Sequence, residues 1–260
     1  MISDDTAFTI RLGRDDRDLR AAQRLRYRVF VEELGANGPM VDHAERLERD
    51  AFDPLFDHLL LIDRRRDPAT LDDVVGVYRL LPSDRVGTGR TYYSEGEYDL
   101  TALRTSGRKL LELGRSCVHP DYRGGTAMFH LWNALADYVL DRGIEILFGV
   151  ASFHGTDIAA LTPSLAYLHH HHLAPEGLRV RARPPQFQRM DLLPADRLDR
   201  KAAMAATPAL IKAYLRLGGF VGEGAWIDHA FNTTDVCLVM DTARMSERHR
   251  AYYTRGKITA

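Results

Sequence analysis

The stretch LELGRSCVHPDYRGGTAMFHLW, residues 111–132, most restricts the folds open to this chain. A strand pattern ends at Val118, a turn follows through His119-Pro120-Asp121, and a helical pattern opens after Gly124-Gly125. Glycines at the start of a helix let backbone N–H groups approach an anion, and the helix dipole favours negative charge there. The segment therefore predicts an α/β protein, with either an anion site at this turn or a turn that merely needs two glycines.

Strand and helix patterns alternate on both sides of this segment. Short apolar or β-branched runs predict strands, at 8–12, 57–63, 74–81, 110–118, 144–153 and 236–240. Apolar residues spaced by three and four predict helices, at 15–33, 126–141, 158–171 and 210–217. The order predicts an α/β fold with a core over residues 1–200 and a C-terminal α/β extension over 201–260, packed together as one continuous domain.

The charge balance and the cysteine count narrow the class of protein. The chain has 35 Lys and Arg against 36 Asp and Glu, a net charge of −1 that disfavours bulk nucleic-acid binding. Two cysteines, Cys117 and Cys237, exclude a disulfide-rich secreted class and a zinc ribbon. The N-terminus shows no signal-peptide pattern, and the longest stretch without Asp, Glu, Lys or Arg, 158–175, contains Pro163 and four histidines. We therefore expect a cytoplasmic protein that at most binds a membrane surface.

Residues 111–132 resemble the central motif of the GNAT-type acyltransferases, where this turn binds a pantetheine-linked phosphate. The glycines stand at other positions than usual, and Thr126 stands where a glycine is common. This departure suits the single phosphodiester of acyl carrier protein better than the pyrophosphate of coenzyme A. The resemblance implies that the phosphopantetheine is bound by the turn residues, which are Arg123, Gly124, Gly125 and Thr126.

Four further motifs resemble those of the acyl-homoserine-lactone synthases and occur in the same order. They are LRYRVF (25–30), ERDAFD (48–53), YRLLP (78–82) and ELGR (112–115). The resemblance implies a GNAT-like mixed sheet flanked by helices. It also implies a substrate site, formed by Arg26, Phe30, Asp50, Asp53, Arg79, Cys117 and Val118.

Later segments resemble the ornithine-lipid N-acyltransferases and separate the chain from the synthases. They are LAYLHH (165–170), LRVRA (178–182), LIKAYLRLG (210–218) and DHAFNTTDV (228–236). This resemblance implies transfer of a 3-hydroxyacyl group from acyl carrier protein to the α-amine of ornithine, giving lyso-ornithine lipid. It implies no permanently bound cofactor, only the 4′-phosphopantetheine of the carrier as acyl donor. The alternatives are another amine such as glutamine, a homoserine-lactone synthase, or a non-catalytic acyl-chain or membrane-surface binding module.

Aminolysis of a thioester requires a neutral amine, so an α-ammonium must lose a proton to a base or a water relay. Glu112 is predicted as that base or as the ammonium ligand, and Arg115 as its catalytic companion. The alternative is an ion pair between them, although residues three apart on an ideal strand face opposite sides. A backbone N–H near 116–118 is expected to stabilise the oxyanion if the strand bulges there.

Asp50 and Asp53 allow three interpretations. They form a buried network with Arg26, Arg79 or Arg115, they bind the side-chain ammonium of ornithine, or they lie on a solvated acidic loop. We favour the network, because the resemblance places these residues around the acyl site without giving each a task.

Three other patterns have simpler interpretations than catalysis or metal binding. His58 and Asp63 form the H-x4-D motif of glycerolipid acyltransferases, but five residues apart on a strand they face opposite sides. His169–His172 have no nearby carboxylate or cysteine to complete a ligand set, so no metal site is predicted. Cys117, beside His119, is expected to be a buried strand cysteine rather than a nucleophile.

Basic residues cluster in two places outside these motifs. They are Arg179, Arg181, Arg183 and Arg189, and then Arg244, Arg248, Arg250, Arg255 and Lys257. Such clusters attract an acidic acyl carrier protein or an anionic membrane surface, or they simply form a solvated face.

Overall fold

The computed structural model describes residues 7–87 and 89–244. The chain forms two compact units. The first holds the described residues up to Leu81 together with Leu113–Gly143. The second holds Pro82–Glu112 and the described residues from Ile144 onward. The division into a core and an extension at residue 200 stays a prediction.

The described residues contain eleven strands and seven α-helices. The strands are β1 (Phe8–Leu12), β2 (Asp57–Asp63), β3 (Val74–Pro82), β4 (Tyr98–Asp99), β5 (Leu110–Val118), β6 (Ile146–His154), β7 (Arg181–Ala182), β8 (Phe187–Gln188), β9 (Phe220–Val221), β10 (Ala225–Asp228) and β11 (Thr233–Asp241). The helices are α1 (Asp16–Arg26), α2 (Ser83–Val86), α3 (Thr101–Arg104), α4 (Ala127–Arg142), α5 (Ile158–His172), α6 (Arg200–Ala206) and α7 (Ala209–Arg216).

Parallel and antiparallel strand pairs both occur. In the first unit β1 pairs antiparallel with β2, β2 pairs antiparallel with β3, and β5 follows β3 in the strand order. In the second unit Leu110–Glu112 of β5 pair parallel with β6, which pairs antiparallel with β11 along its length. Strands β10 and β8 follow β11, and β9 also pairs with β11. The predicted mixed sheet of an α/β fold is confirmed.

The predicted helix over 15–33 has two parts. Helix α1 is capped by Asp15, whose side chain accepts from the Asp18 N–H, and it is followed by a π-helix at Tyr27–Glu33. A π-helix joins residues five apart rather than four, and it is frequent at functional sites. The spacing of apolar residues is nearly the same in both, so the sequence pattern could not show the change.

Helix α1 packs its apolar face on the first unit's strands. Ala22 and Leu25 are buried there together with Val29 of the π-helix that follows, as the spacing predicts. They share one hydrophobic cluster with Leu60 of β2 and Cys117 of β5. This packing fixes the end of α1, where the first charged side chain of the site lies.

Helix α5 covers most of the uncharged stretch singled out in the sequence. It is 15 residues long, contains Pro163 and ends in the four histidines His169–His172. Among the described residues, no helix combines the length and the apolar character needed to cross a membrane.

Candidate active site

A buried arginine at the end of α1 is the centre of an ion network in the first unit. Arg26 has no exposed surface. Its Nε lies 2.5 Å from Oε2 of Glu48, and its Nη1 lies 2.6 Å from Oδ1 of Asp53. Its Nη2 also donates to the Glu48 carbonyl at 2.8 Å. Arg26 therefore ties the loop at 48–53 to the end of α1.

Two further arginines extend the network to β3 and β5. Arg79 Nη1 lies 2.7 Å from Asp50 Oδ2 and 2.8 Å from Asp53 Oδ1. Arg115 reaches Glu48 at 3.2 Å and Asp50 at 3.3 Å. Three cations thus alternate with three carboxylates, and their formal charges balance. Burial of such a set is tolerated because each charge has an opposite partner.

The network keeps its carboxylates ionised. Burial disfavours the charged form of Asp53, but the charges and hydrogen bonds of Arg26 and Arg79 together outweigh it and hold the pKa of Asp53 well below its usual range. Burial likewise opposes ionisation of Glu48, and the nearby arginines of the network together lower its pKa. Asp53 accepts from Gln23, Arg26 and Arg79, and weakly from the Asp50 N–H. The lone pairs of the Asp53 carboxylate are therefore filled, and Asp53 holds the side chains of Arg26 and Arg79 in place.

Strand β5 changes its backbone conformation at the arginine it contributes. Arg115 has φ of +48°, a left-handed conformation that costs a non-glycine residue about 1–2 kcal/mol. Its side chain is held by Glu48 and Asp50, so the ion network holds the strained residue in place. This is the region where a bulge was expected to offer a backbone N–H.

The side chains after Arg115 lie in the core. Cys117 is 6% exposed within the hydrophobic cluster, and Val118 is also 6% exposed. Burial raises the pKa of the Cys117 thiol to about 12. A nucleophilic thiolate is therefore disfavoured at this position. Phe30, on the π-helix, packs half-buried against the same cluster.

Replacement of Cys117 by Ala is expected to leave acyl transfer within about threefold of wild type, because the thiol takes no covalent part. The lost sulfur packing is expected to lower the free energy of unfolding by about 1 kcal/mol. Steady-state rates and urea unfolding measure the two effects. A rate loss of about a hundredfold or more would restore the nucleophile as a candidate.

The turn between β5 and α4 has an open approach to its backbone. Gly124 has φ of +77°, and no atom lies within 4 Å of the place where a Cβ would be. Gly125 and Thr126 lead into α4, a 16-residue helix whose N-terminus carries unpaired N–H groups and a positive dipole end. Arg123 donates from Nε to the Val118 carbonyl and from both Nη atoms to Glu33. The geometry suits an anion bound by backbone N–H groups.

In the second unit, Glu112 is held by backbone N–H groups. It is 1% exposed, and its carboxylate accepts from Tyr93 N–H at 2.9 Å and from Ser94 N–H at 2.6 Å. These donors open a short 3-10 helix at Tyr93–Gly96. These two donors fix the orientation of the Glu112 carboxylate.

A second acidic group in this unit was not predicted from the sequence. Ligand oxygens of Glu97, Asp228 and Asp235, all buried, lie within 4.8 Å of one another. It is the one group of three or more such side chains found among the described residues that could hold a metal ion. Asp228 and Asp235 stand in the segment 228–236 noted above, whereas Glu97 lies far from it in the chain, so only the fold brings the three carboxylates together.

The remaining histidines have structural contacts. The Nε2 atom of His58 lies 3.0 Å from the Asp53 carbonyl, whereas Asp63 accepts from Tyr122 Oη at 2.6 Å and also binds Arg65. His58 and Asp63 therefore serve different neighbours. His170 contacts the Leu193 carbonyl at 2.8 Å, at the end of α5.

The structure describes all four arginines of the first basic cluster but only one residue of the second. In the first, Arg181 pairs with Glu223 and Arg189 pairs with Asp191. In the second only Arg244 is described. The other members, Arg248, Arg250, Arg255 and Lys257, lie outside the described residues.

Comparisons with known proteins agree with the fold. The profile of the acetyltransferase (GNAT) domain matches residues 25–133. The structure of the acyl-homoserine-lactone synthase LasI overlaps with a TM-score of 0.49 at 16% identity, covering 90% of each chain. The profile match, which covers less than half of the chain, and the mixed sheet agree with a GNAT-like acyltransferase fold.

Two curated relatives narrow this class. An L-ornithine N(alpha)-acyltransferase of Rhodobacter capsulatus is 68% identical over 249 residues, which is 96% of this chain and 95% of that protein. One of Brucella abortus is 41% identical, over 95% of this chain and 89% of that protein. The chain belongs to the L-ornithine N(alpha)-acyltransferase family. The resemblance drawn from the sequence motifs is confirmed.

Proposed function

We propose that this chain transfers a 3-hydroxyacyl group from acyl carrier protein to the α-amine of L-ornithine. The product is lyso-ornithine lipid, and the reaction is the first step of ornithine lipid synthesis. The observation that carries the proposal is 68% identity, over nearly the full length of both chains, to an L-ornithine N(alpha)-acyltransferase.

The residues support direct aminolysis without a covalent enzyme intermediate. Glu112 takes a proton from the α-ammonium, directly or through a water molecule, and the freed amine attacks the thioester carbonyl. A C–N bond forms and the C–S bond breaks, so that the carrier leaves with a free thiol. A backbone N–H beside Arg115 stabilises the oxyanion, and the buried ion network holds that stretch of β5.

The acyl donor binds through its phosphopantetheine. The phosphodiester lies at the turn Arg123–Thr126, where backbone N–H groups and the start of α4 favour one negative charge. The donor arm is a substrate of the reaction rather than a resident cofactor.

We propose that the reaction takes place in the cytoplasm, near the inner face of the membrane, which the amphiphilic product can enter. Arg181 and Arg189 project from the second unit, with side chains 62% and 69% exposed, and they are candidates for peripheral contact with anionic lipids.

The test is an amine panel with the purified chain and a 3-hydroxyacyl-carrier protein. Ornithine, lysine, glutamine and homoserine lactone are supplied in turn, and products are read by mass spectrometry. We expect N-acyl-ornithine as the main product. A main product with another amine would overturn the named acceptor, and no product with any amine would overturn the carrier-dependent reaction.

A further inference from the structure

We propose that Glu33 neutralises Arg123 and thereby makes the phosphate turn select a carrier-protein donor over coenzyme A. The inference rests on the proposed function and concerns the class of thioester donor that the turn accepts. No sequence motif pointed to Glu33.

The guanidinium of Arg123 is held on two sides. Its Nη1 and Nη2 lie 2.5 and 2.7 Å from the two carboxylate oxygens of Glu33, and its Nε donates to the Val118 carbonyl at 3.1 Å. The pair is bidentate, which is the strongest geometry for arginine and a carboxylate. The hydrogen bond between them raises the pKa of Arg123 and lowers that of Glu33, so both stay charged.

The π-helix aims Glu33 at the turn. Glu33 is its last residue, and the chain leaves it at Gly35, which has φ of +76° and donates to the Val31 carbonyl at 3.0 Å. Since each π turn takes more residues than an α turn, the last side chain points elsewhere than it would from a continued α1. The π-helix therefore orients Glu33 so that its carboxylate contacts Arg123.

Pairing changes what the turn offers to an anion. With Arg123 neutralised, attraction comes from the backbone N–H groups around Gly124 and Gly125 and from the start of α4. These suit the single charge of a carrier phosphodiester. Coenzyme A carries a diphosphate and a 3′-phosphate monoester, so it loses more attraction than the carrier phosphodiester when Glu33 offsets the charge of Arg123. The extra negative charges of coenzyme A lie at a solvated surface, where each interaction is weak. We therefore expect the pair to favour the carrier donor over coenzyme A by about 3- to 10-fold.

The neighbouring residue offers a matched control. Glu32 precedes Glu33 on the π-helix and pairs with Arg46 instead, and its side chain is 37% exposed against 36% for Glu33. A general change in surface charge or helix stability affects both variants equally. An effect through Arg123 appears only at Glu33.

The experiment compares kcat/KM for the same acyl group on carrier protein and on coenzyme A. We expect Glu33→Gln to raise the ratio of coenzyme A to carrier activity by about 3- to 10-fold, an increase that added salt removes. Arg123→Gln, which leaves Glu33 unpaired, is expected to lower the ratio, and Glu32→Gln to leave it unchanged.

An equal change for both donors in Glu33→Gln, or an unchanged ratio, would overturn the inference and leave Glu33 a structural residue. Wild-type protein that turns over neither donor would overturn the proposed function instead. In that case, binding still tests the inference. The dissociation constants of coenzyme A and of the holo-carrier protein, measured in the same variants, show whether Glu33 changes the preference for one donor.

Discussion

Replacement of Glu112 by Gln is expected to lower kcat by about 10²–10⁴-fold, because the α-ammonium loses its proton acceptor. The amide keeps an acceptor oxygen for one of the two N–H groups of Tyr93 and Ser94, whereas its NH2 faces the other N–H, which loses its acceptor. The free energy of unfolding is therefore expected to fall by only about 1–3 kcal/mol. The loss in rate is expected to shrink at high pH, where the amine is already neutral.

The matched control is Glu95→Gln. Glu95 accepts from the Tyr92 N–H at 2.7 Å and so supports the same short helix without touching Glu112. Steady-state kinetics from pH 7 to about pH 10, with urea unfolding of each variant, separate catalysis from folding. Wild-type turnover in Glu112→Gln, or an equal loss in Glu95→Gln, would remove Glu112 as the base.

Replacement of Asp53 by Asn is expected to destabilise the first unit by about 3–5 kcal/mol. The change removes the counter-charge that the buried Arg26 and Arg79 share. Activity is expected to fall with it, since Arg115 and its stretch of β5 depend on the same network. Urea unfolding at pH 7 measures the stability.

The stabilisation that Asp53 provides is expected to decrease as the pH falls. The pKa of Asp53 is lowered in the folded protein, so its contribution is complete above the unfolded value of about 4 and is lost as the pH falls toward the folded value. The difference in free energy of unfolding between wild type and Asp53→Asn is therefore expected to decrease below about pH 4. Asp42→Asn, which breaks the partly exposed pair with Arg49, is expected to cost about 0–1 kcal/mol. A stability difference at Asp53 that does not change with pH, or an equal loss of stability in Asp42→Asn, would contradict the proposed role of Asp53 in the ion network.

Local patterns carried much of the fold. The strands at 8–12, 57–63 and 110–118 have the predicted bounds, because each is a short β-branched or apolar run closed by turn residues. The patterns missed strands β4, β7, β8, β9 and β10. They are two to four residues long and have no pattern of their own, since pairing with neighbouring strands defines them.

The motifs named the charged residues of the site but not their contacts. Glu48 stands in the motif at 48–53, and the motif gives it no role, yet it links Arg26 to Arg115. The left-handed backbone of Arg115 has no signal in a strand of ordinary composition. The contact of Glu33 with Arg123 joins residues 90 positions apart, and only the fold brings them together.

The most direct test of the proposed reaction is the position of the new amide. The purified chain is incubated with 3-hydroxyacyl-carrier protein and ornithine labelled with ¹⁵N at the α-amine, and the product is read by NMR. We expect the acyl group on the labelled nitrogen, with one free carrier thiol formed per product. An acyl group on the side-chain nitrogen, or thiol release without ornithine acylation, would contradict the proposed function.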